Sequence, residues 1–121
     1  MELGFKNLRV YKLAYKLAME IFELSKKFPV EEKYSLTDQI RRSSRSVCAN
    51  VAEGYRKKIY PNYFTSKMTD SDAEASETIV WLDFAFDCEY ITLEEKESLI
   101  SQYIEVGKML GTMIKNPERF K

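Results

Sequence analysis

A chain of 121 residues, 45% apolar and 31% charged, holds enough material for one hydrophobic core and not for two. Its 19 Lys and Arg balance its 19 Asp and Glu, so it lacks the strong overall field of a dedicated polyanion binder. Histidine is absent, which excludes Ser-His and Cys-His nucleophilic systems and the Glu-x-x-His ligands of di-iron bundles.

The opening Met1-Glu2-Leu3-Gly4 has no secretory pattern, and no apolar run approaches the roughly 20 residues of a membrane span. A cytoplasmic protein is expected. With only four Gly and three Pro, a few long helices are favoured over many turns. The first is expected over 7–28, capped by Asn7 and stopped by Pro29, with Leu8, Tyr11, Ala14, Tyr15, Ala18, Ile21, Phe22, Ser25 and Phe28 toward the core. The short polar link that follows returns the second helix antiparallel to the first.

The second helix is expected over 35–55. At about 100° per residue, Leu36, Ile40, Ser43, Ser44, Val47, Cys48, Val51 and Gly54 gather on one side. Arg41, Arg42, Arg45, Glu53 and Arg56 gather on the other. Ser35 has the hydroxyl of an N-cap, Asp38 suits the positive end of the helix dipole, and Gly54 can close the helix in the left-handed conformation.

Pro61 suits the first position of a third helix over 61–88, through Phe64, Met68, Ser71, Ala75, Ile79, Leu82 and Phe86. Its middle is poor in bulk, so its packing strength is expected from Ile79, Trp81, Leu82, Phe84 and Phe86. Thr92-Leu93-Glu94-Glu95 is a capping box that opens a fourth helix over 92–116, with Leu99, Tyr103, Val106, Met109, Leu110 and Met113 inward. The expected fold is all-α, one domain over 1–121, an antiparallel up-down four-helix bundle.

The first half carries a resemblance. Phe5-Lys6-Asn7-Leu8 with Val10-Tyr11, then Phe28-Pro29, Glu32, Tyr34, Leu36-Thr37, Gln39-Ile40-Arg41-Arg42-Ser43 and Asn50-Val51-Ala52-Glu53-Gly54, resembles the four-helix-bundle proteins of 23S rRNA intervening sequences. The third helix departs from that pattern, reading Asp70-Ser71 where a Gly-Ser pair is usual and Glu74-Ala75-Ser76 where Glu-Leu-Glu is usual. The resemblance implies a homo-oligomer, a ring of five subunits with a central channel. It also implies kinship with the pentameric accessory protein that serves the reverse transcriptase of diversity-generating retroelements.

Arg41, Arg42, Arg45, Arg56, Lys57 and Lys58, with Tyr55 and Tyr60 among them, form the candidate RNA- or DNA-binding set, since cations neutralise phosphates and tyrosines stack on unpaired bases. The competing reading pairs the helix-two arginines with carboxylates of helix three or of a neighbouring subunit. Gln39, Asn50, Glu53 and Gly54 read as structural or interface residues. Asn50 and Glu53 would satisfy backbone groups at the helix end, or bind Arg42 across an interface, with a ligand role as the alternative.

Glu53, Asp70, Glu74 and Glu77 could form an all-carboxylate metal site only if helices two and three face each other. No catalytic residue, metal or cofactor is expected. Cys48 reads as a buried hydrophobe, and Cys88 lies between Asp87 and Glu89, which oppose a thiolate. Charge is unevenly divided: residues 1–60 hold thirteen cations and seven anions, and residues 61–121 hold six and twelve. Such halves can pair within one copy or between copies. Sixteen aromatic residues, eight Tyr, seven Phe and one Trp, exceed what one bundle buries, which points to self-association. A protein partner held by such an assembly is the alternative to nucleic acid.

Overall fold

The computed structural model describes residues 3–120; Met1 and Glu2, part of the opening read for a leader, lie outside them. Four α-helices make up the fold: α1 Arg9–Ser25, α2 Leu36–Arg56, α3 Pro61–Asp87 and α4 Leu93–Lys115. Short 3-10 turns span Gly4–Asn7, Val30–Glu32 and Pro117–Phe120, and no strand occurs among the described residues.

Neighbouring helices run in opposite directions, as their contacts show. Along α2 and α3, Ser43 meets Thr78, Val47 meets Ser71 and Glu53 meets Lys67, so numbers rise on one helix as they fall on the other. The same order links α1 to α2 through Arg41 on Ser25 and Tyr55 beside Gly4. Lys96 meets Asp83, and Asp72 lies beside Gly107, which sets α4 against α3. Lys16 reaches Gln102 between α1 and α4. The bundle is therefore up-down and closes α4 onto α1.

α1 starts two residues later than expected. Asn7 belongs to the preceding 3-10 turn, extended Leu8 takes the N-cap place, and no side chain caps the helix. Its core face is also rotated: Val10, Ala14, Leu17, Ala18 and Ile21 are buried, whereas Tyr15 is 53% exposed. Aliphatic side chains fill the narrow space between helices, and a tyrosine hydroxyl keeps its water by staying at the rim.

All eight residues assigned to the apolar face of α2 are buried. Its capping differs from expectation. The Ser35 hydroxyl accepts no amide; it donates to Glu32 Oε1 at 2.6 Å, and Glu32 Oε1 itself accepts the Leu36 amide at 3.3 Å. Gly54 lies inside α2 without a positive φ, so it does not close the helix. It permits close approach instead: a Cβ there would sit 2.7 Å from Met68 Cε and 2.8 Å from Lys67 Cβ.

The α2–α3 seam is small and hydroxylated. Ser71 Oγ donates to the Val47 carbonyl at 2.8 Å, and Thr78 Oγ1 lies 2.8 Å from Ser43 Oγ. Thr78 and Ala85 are buried on α3, while Ile79, Trp81 and Phe86 pack at the margin and Phe84 is 54% exposed. The anchors of α3 are thus Phe64, Met68 and Leu82, not the aromatics near its end.

Pro61 occupies the first turn of α3. The α3 end is a Schellman turn without glycine: Tyr90 N donates to Ala85 O at 2.8 Å and Glu89 N to Phe86 O at 2.9 Å, with Glu89 at φ 66. The capping box of α4 is formed as expected, Glu95 N to Thr92 Oγ1 at 3.1 Å and Thr92 N to Glu95 Oε1 at 2.8 Å. Phe120 returns to stack on Phe64, ring centroids 5.6 Å apart.

Candidate nucleic-acid interface

The bundle divides the basic residues of α2 between two neighbours. Arg42 turns to α3, where Nη1 donates to Glu74 Oε2 at 3.0 Å and Nη2 donates to Glu77. Gln39 Oε1 lies 3.5 Å from Arg42 Nε on the same side. Burial works to raise the Glu74 carboxyl, but hydrogen bonds from Arg42 and Ser46 outweigh it and hold the group below its ordinary range. Arg42 is thereby a clamp between helices, its charge matched by two carboxylates.

Arg41 and Arg45 turn to α1. Their guanidinium groups lie 4.8 and 5.8 Å from the centre of the Phe22 ring, and Arg41 Nε donates to Ser25 Oγ at 2.7 Å. Among the described residues no carboxylate pairs with either. Together with Arg42, Lys33, Tyr34 and Thr37 they line a groove of about 590 Å³ that contains one acid, Asp38. Within the chain, pairing of the helix-two arginines with helix-three carboxylates therefore holds for Arg42 alone.

Arg56 and Lys57 are exposed at the far end of α2 and have no ion pair among the described residues. Lys58 Nζ sits 4.2 Å from the centre of the Tyr55 ring and 3.1 Å from its hydroxyl. Tyr55 packs beside Gly4, and Tyr60 is 58% exposed.

Residues that sequence reasoning assigned to the core or left unassigned join this face. Tyr11 meets Phe5 edge-on at 5.1 Å and Tyr15 at 6.0 Å, and Lys6 and Lys12 line a 370 Å³ depression with the two tyrosines. The α1–α2 face is thus a row of aromatic rings bordered by cations, from Lys6 to Arg41. The surplus of aromatics was its only sequence signal, because helical periodicity places Tyr11, Tyr15 and Phe22 beside core positions.

The remaining motif residues serve the scaffold. Asn50 Nδ2 donates to Ser46 O at 3.0 Å, within its own helix, and Glu53 pairs with Lys67 at 3.0 Å. Within this chain neither meets Arg42. Helices α2 and α3 do face each other, yet Glu53, Glu74 and Glu77 are matched by Lys67 and Arg42, and no metal-holding cluster occurs among the described residues. Burial pushes the Cys48 thiol up to about 11, so it is inert at neutral pH, while Cys88 is exposed. No helix among the described residues is long and apolar enough to cross a membrane.

The pattern of the 23S rRNA-intervening sequence protein family matches residues 6–112. The chain belongs to that family. Its fold is shared with a solved protein of unknown function from the S23 ribosomal protein family of Bacteroides thetaiotaomicron. The two are 33% identical with a TM-score of 0.79, over 88% of this chain and 98% of that one. Among curated proteins none matches this family member.

Proposed function

We propose that this chain is a non-enzymatic, homo-oligomeric helical-bundle module of the cytoplasm that binds RNA or DNA along its α1–α2 face. The observation that supports this most is the placement of Arg41 and Arg45, stacked on Phe22 and matched by no carboxylate among the described residues. Unmatched guanidinium groups bordered by aromatic rings suit phosphates with unpaired bases between them. Kinship with proteins of rRNA insertions agrees with this reading.

The test is fluorescence anisotropy with short single-stranded and duplex RNA and DNA at several salt concentrations. Binding is expected to weaken linearly in log salt, and to fall when Arg41, Arg45 and Arg56 become Ala. Arg42→Ala, which removes a cation already matched by Glu74 and Glu77, should change the salt slope less than Arg41→Ala. Absence of binding at low salt overturns the reading.

A second reading, an adaptor that holds another polypeptide such as a reverse transcriptase, draws on the opposite side of α1. There Met19, Leu24 and Leu99 floor a groove of about 640 Å³ rimmed by Lys16, Glu20, Glu23, Glu94 and Glu95, with Lys16 paired to Glu20 at 3.6 Å and Lys26 to Glu23 at 3.2 Å. Glu94 and Glu95, which pair with no Lys or Arg among the described residues, form an acidic edge over an apolar floor, which suits a basic amphipathic helix. Loss of a co-purifying partner on Glu20→Lys with Glu94→Lys, with nucleic-acid binding intact, would favour this reading.

A further inference from the structure

The α1–α2 connection and the end of α3 enclose a cleft of about 570 Å³ that is separate from the basic face. One wall is aromatic. The Trp81 and Phe84 rings lie 5.9 Å apart at 42°, and Phe84 leaves more than half of its surface in water. The Trp81 indole N–H donates to Glu77 Oε2 at 3.1 Å, which fixes the ring.

Glu32 lines the same cleft and is held in one orientation. Its Oε1 accepts the Ser35 hydroxyl and the Leu36 amide, and its Oε2 accepts only the Tyr90 hydroxyl, at 2.9 Å. One lone pair of Oε2 is left over. Glu53, Glu74 and Glu77 each have a cation, but no Lys or Arg pairs with Glu32 among the described residues. Gln39 adds an amide to the same cleft.

We propose that this cleft binds an arginine side chain presented by a partner polypeptide, stacked against Trp81 and Phe84 and donating to Glu32 Oε2. Aromatic faces attract a cation, and a fixed carboxylate accepts its N–H groups. A flat guanidinium does both at once, whereas an ammonium is a hydrated point charge with no face to stack. The protein already uses guanidinium-on-phenyl packing at Phe22. This assignment is independent of the nucleic-acid reading.

Trp81 is the single tryptophan of the chain and reports on the cleft directly. The probe is the blocked tripeptide Gly-Arg-Gly, with its citrulline counterpart as the neutral isostere. A saturable change in Trp81 emission is expected with the arginine peptide, on the order of millimolar affinity and at least about tenfold weaker with citrulline. Glu32→Gln should weaken binding about tenfold. Phe84→Leu, at an exposed position that leaves the core intact, should weaken it severalfold.

Equal binding of the citrulline peptide, or no response to the arginine peptide in the tens of millimolar, overturns the proposal. Unchanged binding by both variants, with their helical circular dichroism retained, overturns it as well. A lower solution mass for Phe84→Leu would assign the cleft to a second copy of this chain and overturn the partner assignment.

Discussion

Gly54 and Tyr103 show how single residues carry the geometry of this bundle. Gly54→Ala should destabilise by about 2 kcal/mol in chemical denaturation, despite the better helix propensity of alanine. Met68 Cε can move aside, but Lys67 Cβ is fixed by its backbone, so α2 and α3 must separate. Tyr103 is 1% exposed, and its hydroxyl has no hydrogen-bond partner among the described residues. Burial, with Cys48 and Glu20 nearby, pushes that phenol far up. Tyr103→Phe removes an unpaired polar group while keeping the ring, and should raise stability by about 1 kcal/mol, a thermal shift of several degrees. Neither role is legible in the sequence, where Gly54 resembles a helix stop and Tyr103 an ordinary core position.

Between elements, charge and capping decide the fit. Arg42 joins α2 to α3, but its side chain is 46% exposed, so solvent screening limits the value of the pair. Arg42→Ala should cost about 1 kcal/mol, and a double-mutant cycle with Glu74→Gln should show the coupling shrinking in high salt. Glu32 ties the start of α2 to the α3–α4 turn. The Ser35 hydrogen bond, then that of Tyr90, holds its carboxyl below the ordinary 4.5, so its contribution is present above that pH and is lost as pH falls through the lowered value. Tyr90 shifts the other way, pushed up to about 12 by its hydrogen bond to Glu32, so its contribution is full below 10 and lost as pH rises toward 12. Thermal melts across pH should therefore fall off at both ends, and Glu32→Gln should flatten both limbs. Sequence alone assigned the cap to Ser35 because the local pattern is the same; the turn that brings Glu32 over the helix start is set by packing against Tyr90.

At the scale of the molecule, the uneven charge has a definite geometry. The unmatched cations Arg41, Arg45 and Arg56 lie on α2 and Lys57 just past its end, while Glu94 and Glu95 edge the α1–α4 side, where Lys16 and Lys26 match Glu20 and Glu23. Two unlike faces on one subunit favour head-to-tail contacts, which close into a ring when the rotation permits. Light scattering at tens of micromolar should give a multiple of the 14.2 kDa chain for the homo-oligomer we propose, five copies if it is the ring that the family resemblance implies, and the mass should fall in high salt if these faces meet. A strictly monomeric species would remove the oligomer from the proposal.

Helix number, the face of α2, the proline start of α3 and the capping box of α4 were all determined by the sequence. Periodicity and capping are local properties, set by backbone geometry within a few residues. Tertiary structure alone decided that Arg42 is bound while Arg41 and Arg45 stack on Phe22, that Tyr15 and Phe84 face water, and that Gly54 serves close packing. Those outcomes depend on how far each helix is rotated about its axis and which neighbour it then meets. A rotation of a few tens of degrees exchanges core for rim, and it is fixed by the combined packing of four helices rather than by any one of them.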